Sequence, residues 1–154
     1  MAGIAGYIDN NNKPTKKTLK QMTDLIKHRG PDGEGTYVDD KAALGHRRLA
    51  VLDLTTGNQP ILNEDENIIL VCDGDIYNYQ ELKEELIKKG HKFTTKTDAE
   101  VILHGYEEWN TKVVDKLRGM YSFSIWDKEK QELFSARDKW GIKPYYYYEN
   151  DGVL

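Results

Sequence analysis

Residues 121–126, Tyr-Ser-Phe-Ser-Ile-Trp, alternate apolar and polar side chains, and Leu133 to Arg137 resumes the pattern after the polar stretch Asp127 to Gln131. Successive side chains of a strand point to opposite faces, so this alternation builds a half-buried strand, and two such strands across a short polar loop pair as a hairpin. The fold must therefore contain an antiparallel sheet whose apolar face is covered. Ile68 to Cys72 is a continuous apolar run bounded by Asn67 and Asp73-Gly74, too short for a helix, and reads as a buried strand ended by a turn. Further strands are expected at Ile4 to Ile8, Thr36 to Val38, Ala42 to Leu49, Val51 to Leu54 and Tyr145 to Tyr148.

Helical spacing marks three other segments. Leu19, Met22, Leu25 and Ile26 recur behind a capping Thr15, and His28-Arg29-Gly30-Pro31 ends that helix. Tyr79, Leu82, Leu86 and Ile87 form a second, closed by Gly90. Val101, Leu103, His104 and Tyr106 to Trp109 form a third, with Thr97 or Asp98 as its cap, and a short helix around Val113 to Leu117, ended at Gly119, follows. Helices segregated from mainly antiparallel strands indicate an α+β layered fold, not a doubly wound one.

The chain has 154 residues, which sets an expectation of one domain over 1–154 with a substantial core. Its 22 basic and 26 acidic residues give a net charge of -4, which disfavours nucleic acid as a partner. No segment approaches the roughly 20 apolar residues of a membrane helix, and the first residues lack a signal-peptide run. A soluble cytoplasmic protein with no membrane partner is expected. The single cysteine, Cys72, excludes an internal disulfide and any multi-cysteine metal site. It ends an apolar run, so its thiol is expected to be buried and to point away from Asp73. His28, His46, His91 and His104 are scattered singly without ligand spacing, and Trp109, Trp126 and the late tyrosines read as packing residues. No P-loop, GxGxxG, HExxH or CxxC occurs.

Several strings are more specific than their periodicity: Met-Ala-Gly-Ile-Ala-Gly at the start, His28-Arg29-Gly30-Pro31-Asp32-Gly33, Gly45-His46-Arg47-Arg48-Leu49 and Gly57-Asn58-Gln59-Pro60. They continue with Asp73-Gly74-Asp75-Ile76-Tyr77-Asn78-Tyr79, Thr97-Asp98-Ala99-Glu100, Gly119-Met120-Tyr121, Arg137-Asp138 and Gly141-Ile142-Lys143-Pro144. In this order, from Met1 to about Tyr148, they resemble the class II glutamine amidotransferase domain of glutamine-dependent asparagine synthetases. The resemblance implies a four-layer αββα Ntn-hydrolase sandwich that binds L-glutamine. It also implies a C-terminal synthetase domain as partner, which would receive ammonia to make asparagine from aspartate. No cofactor or metal is expected in this part, since ATP and magnesium would belong to the synthetase domain. An isolated domain of this kind would leave apolar surface uncovered, and a homodimer is one way to cover it.

In that family a cysteine after the initiator Met is the nucleophile, with its own α-amine as base. An Asn side chain and the next Gly N–H stabilise the oxyanion. The resemblance places Ala2 at the nucleophile position, Asp73 at the oxyanion Asn, Gly74 beside it, and Asp75 where Glu is expected. A methyl group cannot attack an amide. An ionised Asp73 is an acceptor only, and losing one oxyanion donor costs about 3 kcal/mol. A retained Met1 would also cover the amine. The chain is thus expected to be catalytically disabled. A trap substitution at position 2 does not account for Asp73 and Asp75, so trap and natural degeneration both stay open. The substrate-holding positions are better kept: Arg48 for the glutamine α-carboxylate, Asp98 for the α-ammonium, and Leu49, Ala50, Val51 and Leu52 through their backbone. Binding without turnover follows, and with it the alternative of a non-catalytic glutamine sensor or protein-interaction module.

Overall fold

The structure, a computed structural model, describes residues 2–51, 53 and 55–154. Two antiparallel sheets form its centre. The first has the order β1-β3-β2, from β1 (Gly3–Ile8), β2 (Gly33–Val38) and β3 (Ala42–Arg48). The second has the order β4-β5-β6-β7, from β4 (Ile61–Leu62), β5 (Ile68–Ile76), β6 (Gly119–Asp127) and β7 (Glu132–Arg137). Helix α1 (Lys16–Leu25) packs on the first sheet; α2 (Tyr79–Lys88), α3 (Glu100–Trp109) and α4 (Val113–Lys116) lie on the side of the second. The layers are therefore αββα, the Ntn-hydrolase sandwich expected from the sequence.

Strand alternation assigns each core. Ala42 and Leu44 of β3 meet Ile69 and Val71 of β5 and Trp126 of β6 between the two sheets. The residues in between, Leu70, Cys72 and Ile76 with Phe123 and Ile125, face the other way onto Leu82 and Leu86 of α2 and Val101, Ile102 and Leu103 of α3. Burying each large apolar side chain contributes about 1.5–3 kcal/mol, so this double-sided sheet carries much of the stability. The Trp126 indole still reaches a partner, donating to Asp39 Oδ2 at 2.7 Å.

Most expected elements form, and four differ. Residues 51–54 form no strand across Val51 and Asp53, the described residues of that segment. Asp53 instead has a left-handed φ of 50°, and its carboxylate accepts the N–H groups of Thr56 and Lys96, each at 2.8 Å. Asp53 sits in a hydrogen-bonded loop because Asp competes for nearby backbone donors. Asp73 and Gly74 are not a turn: β5 continues through them, since β6 offers a full partner strand with Asp73 opposite Ser122 and Gly74 opposite Tyr121. A Cβ on Gly74 would sit 2.5 Å from the Met120 carbonyl, so the two strands approach here only because position 74 is glycine.

Neither Thr97 nor Asp98 caps α3. The cap residue is Ala99, without a side-chain hydrogen bond, and the preceding loop is fastened by Glu100, which accepts the N–H groups of Thr94 and Thr95 at 2.7 and 2.8 Å. Residues 145–148 are not a strand either. Tyr145 alone turns inward, its hydroxyl bonded to those of Ser124 and Ser135, while Tyr146, Tyr147 and Tyr148 are exposed. The chain then returns to β1, where Ile8 and Leu154 exchange backbone hydrogen bonds at 2.8 and 3.0 Å. No helix among the described residues is long and apolar enough to cross a membrane.

Candidate active site

The start of β1, the end of β3 and the middle of β5 converge on a cavity of about 210 Å³. Ala2, Asp73, Gly74 and Asp75 line it, and so do Arg48, Leu49, Val51 and Asp98. Eight positions assigned from the sequence are thereby brought together from segments nearly 100 residues apart. Ala50 is not among the lining residues; its N–H donates to Asp32 Oδ2 at 2.9 Å. Leu52 lies outside the described residues. A larger cleft of about 1620 Å³ runs along β1 toward the last residues and touches the assigned positions only at Asp73.

Asp73 is 3% exposed and heavily engaged. Its Oδ1 accepts the backbone N–H of Ala2 and the Lys143 ammonium, each at 3.1 Å. Its Oδ2 accepts Arg29 Nη2 at 2.7 Å, and the same guanidinium donates from Nε to the Ala2 carbonyl at 3.0 Å. Two cations thus face one buried carboxylate, which offsets the desolvation that an unpaired charge would suffer. Lys143 is itself 4% exposed, on a turn held by Asp138, whose carboxylate accepts the N–H groups of Ile142 and Lys143, each at 2.9 Å.

Arg48, the last residue of β3, donates from Nη1 to Asn58 Oδ1 at 2.9 Å and from Nη2 to the Asp53 carbonyl. These bonds hold the guanidinium at the cavity and tie it to the 53–58 loop. Across the site, Asp98 Oδ2 accepts the Ile76 N–H at 2.5 Å. Burial pushes the Asp98 carboxyl pKa up, the Ile76 N–H opposes that, and the Asp75 charge adds to the rise. One positive and one negative side chain, both nearly buried, therefore line the same small space.

Cys72 supplies no nucleophile. Its side chain belongs to the helix-side core, 2% exposed, and burial pushes its thiol pKa well up. Its backbone is clamped by Gln59, which accepts the Cys72 N–H at 2.6 Å and donates to the Cys72 carbonyl at 3.1 Å.

Arg29, His46, Gln59 and Lys143 had no assigned role in the sequence reading. All four stand inside the quoted strings, which was the available signal. His46 is buried at 2% exposure with neither ring nitrogen hydrogen-bonded, and burial depresses its pKa to about 4, so the ring is neutral at pH 7.

Comparisons with known proteins give the family and the fold. The sequence model of the glutamine amidotransferase domain matches residues 1–154. Asparagine synthetase [glutamine-hydrolyzing] 2 of Bacillus subtilis is 46% identical over 153 residues, covering 97% of this chain and 20% of that protein. A putative asparagine synthetase [glutamine-hydrolyzing] 1 of Methanocaldococcus jannaschii is 40% identical over 171 residues, covering 98% of this chain and 31% of that protein. The chain thus spans under a third of the length of these relatives. Among solved structures, the glutamine phosphoribosylpyrophosphate amidotransferase of B. subtilis superposes with a TM-score of 0.69 at 22% identity, over 90% of this chain and 37% of that one, a likeness of fold. By its sequence strings, its αββα layers and the full-length family match, the chain belongs to the family of glutamine amidotransferase domains, of the kind found in asparagine synthetases.

Proposed function

We propose that the 210 Å³ cavity binds L-glutamine and that this chain holds the amino acid without hydrolysing it. The observation that carries the reading is the pairing of Arg48 and Asp98 across one small cavity, beside Ala2 and Asp73. A planar guanidinium suits a carboxylate, a buried carboxylate suits an ammonium, and the volume lies below the roughly 300–1,000 Å³ of sites for drug-sized ligands. The α-carboxylate would meet Arg48, the α-ammonium would meet Asp98, and the side-chain amide would point toward positions 2 and 73.

With a cysteine at position 2 and its α-amine free, that amide carbon would be attacked by the thiolate, ammonia would leave, and water would release glutamate. In the longer parent the ammonia would pass to a synthetase domain that amidates aspartate. In this chain both chemical positions work against the reaction. Ala2 has no lone pair to offer. The Asp73 carboxylate, already committed to Arg29, Lys143 and the Ala2 N–H, would oppose a developing oxyanion rather than donate to it. That commitment of Asp73 favours a non-catalytic role, in which glutamine occupancy is sensed by the remainder of the parent protein.

Calorimetry with glutamine on the unaltered chain should give saturable binding without ammonia release. The double variant Ala2→Cys, Asp73→Asn, with Met1 removed, should release ammonia from glutamine. Absence of glutamine binding at millimolar concentration would overturn the binding reading. A revertant that binds glutamine yet releases no ammonia would overturn the assignment of positions 2 and 73.

A further inference from the structure

On the helical side of the second sheet, in segments that flank Asp98 in sequence, two histidines and a glutamate converge. One ring nitrogen from each of His91 and His104 and a carboxylate oxygen of Glu107 lie within 4.8 Å of one another. We propose that His91, His104 and Glu107 form a binding site for a divalent transition cation, specifically zinc(II), independent of the glutamine site.

Local structure explains why they meet. His104 and Glu107 are three residues apart on α3 and so share a helix face. His91 arrives from α2. That helix ends in a Schellman motif, in which Gly90 adopts a φ of 104° and donates to the Ile87 carbonyl at 3.0 Å while the His91 N–H donates to the Leu86 carbonyl at 3.1 Å. The left-handed glycine reverses the chain and delivers the His91 ring, 5.3 Å between centroids, to the ring of His104. Thirteen residues of sequence separation hide this pairing from any spacing motif.

The two distances to Glu107 are near those of a metal site. Glu107 Oε2 lies 2.7 Å from His104 Nδ1 and 3.5 Å from His91 Nδ1. Ligands about 2.0–2.1 Å from a tetrahedral zinc are roughly 3.4 Å apart, so the His91 contact already has that spacing and the His104 contact needs to open by under about 1 Å. Two imidazoles and one carboxylate are a known ligand set for zinc, with water as the fourth ligand. The site can admit both ion and water, because the His91 and Glu107 side chains are 17% and 18% exposed.

Outer partners for two of the three ligands set this group apart from a chance cluster. His91 Nε2 lies 3.2 Å from Glu108 Oε2, while the buried His104 Nε2 faces Glu100 Oε1 at 3.5 Å without a hydrogen bond. Glu107 Oε1 accepts Asn63 Nδ2 at 2.8 Å. Carboxylates behind metal-binding histidines fix ring orientation and raise ligand basicity, and such partners are what a working site needs. Phe93 packs edge-on against His104, with 4.6 Å between centroids, as an apolar wall. Three carboxylates, Glu100, Glu107 and Glu108, surround the two rings, and Lys89 neutralises only the outermost at 2.8 Å.

Titration of the unaltered chain with zinc(II), followed by calorimetry and by cobalt(II) substitution, should show one equivalent bound and the visible spectrum of four-coordinate cobalt. His91→Ala and Glu107→Gln should each weaken binding at least tenfold, and His28→Ala, an exposed histidine elsewhere, should leave it unchanged. Paramagnetic broadening by cobalt(II) on the unaltered chain should fall first on the His91 and His104 imidazole signals, a readout that needs no variant. No stoichiometric binding at 100 µM zinc, equal affinity in His91→Ala, or broadening centred on other residues would each overturn the proposal. None of these outcomes depends on glutamine binding.

Discussion

The backbone N–H of Ala2 donates to the carboxylate of Asp73 at 3.1 Å, joining the start of β1 to the middle of β5 across the two sheets. Arg29 spans the same pair, bonding the Asp73 carboxylate and the Ala2 carbonyl. Positions 2 and 73 thus hold each other, and the bond between them serves the architecture.

That linkage makes Asp73 a stabilising residue. Asp73→Asn keeps the shape and removes the charge, leaving Arg29 and Lys143 facing a neutral amide. Stability at pH 7 should fall by about 1–3 kcal/mol, read as a lower urea midpoint at unchanged m-value. An unshifted midpoint would show that the two cations do not need the charge.

Arg48 is expected to decide ligand affinity. Arg48→Lys retains the positive charge but loses the planar fork, so glutamine should bind at least tenfold more weakly, about 1.4 kcal/mol. Asp98→Asn should do the same by leaving the ligand ammonium without a carboxylate. Calorimetry on both variants checks the pair, and unchanged affinity in either would remove that residue from the clamp.

His46 makes stability fall on acidification. Its pKa is about 4 in the native state against 6.5 when unfolded, so below pH 6.5 the unfolded chain takes a proton that the native chain refuses. Burial causes the depression; the Asp73 charge opposes it, and Arg48 adds to it. The contribution is zero above about pH 6.5, grows as pH falls, and saturates near pH 4 at about 3 kcal/mol of lost stability. In His46→Leu, urea melts over that range should show a correspondingly shallower loss. Equal slopes in the two proteins would mean that His46 does not titrate this way.

Cys72 should resist alkylation in the native state. Its thiol is buried on the helix side, and burial raises its pKa, so iodoacetamide should modify it only as fast as the protein opens. Rapid labelling in the absence of denaturant would contradict the strand register that points it away from Asp73.

Gln59 offers a sharper test of that register. It pairs with both backbone groups of Cys72, and Gln59→Leu would leave the two unsatisfied beside the cavity. A loss of about 2 kcal/mol is expected by thermal or urea unfolding.

The layered fold was readable because its strands and helices announce themselves by period: 121–126 alternates, and Leu82 with Leu86 repeats at helical spacing. Position 73 was readable only through its string, and its local chemistry misled. Asp-Gly is a turn signal, yet β6 supplies a continuous partner and draws both residues into the sheet. The strand pattern of Val51 to Leu54 misled in the other direction at its described residues, Val51 and Asp53, since Asp53 gathers the Thr56 and Lys96 donors into a loop. Arg29 and Lys143 could be seen in their motifs, but nothing in one dimension says that both end on the same carboxylate. His91 and His104 are the clearest case, because a helix terminus and a left-handed glycine bring them together.

The exchange of hydrogen bonds between Ile8 and Leu154 bears on more than the tail. β1 pairs with β3 on one side only, so its outer side is a sheet edge, and the final residues seal part of it. Trimming residues 150–154 would leave unpaired backbone groups along a strand whose other end carries position 2. An open edge invites a strand from another molecule, so the shortened protein should self-associate more strongly than the intact chain.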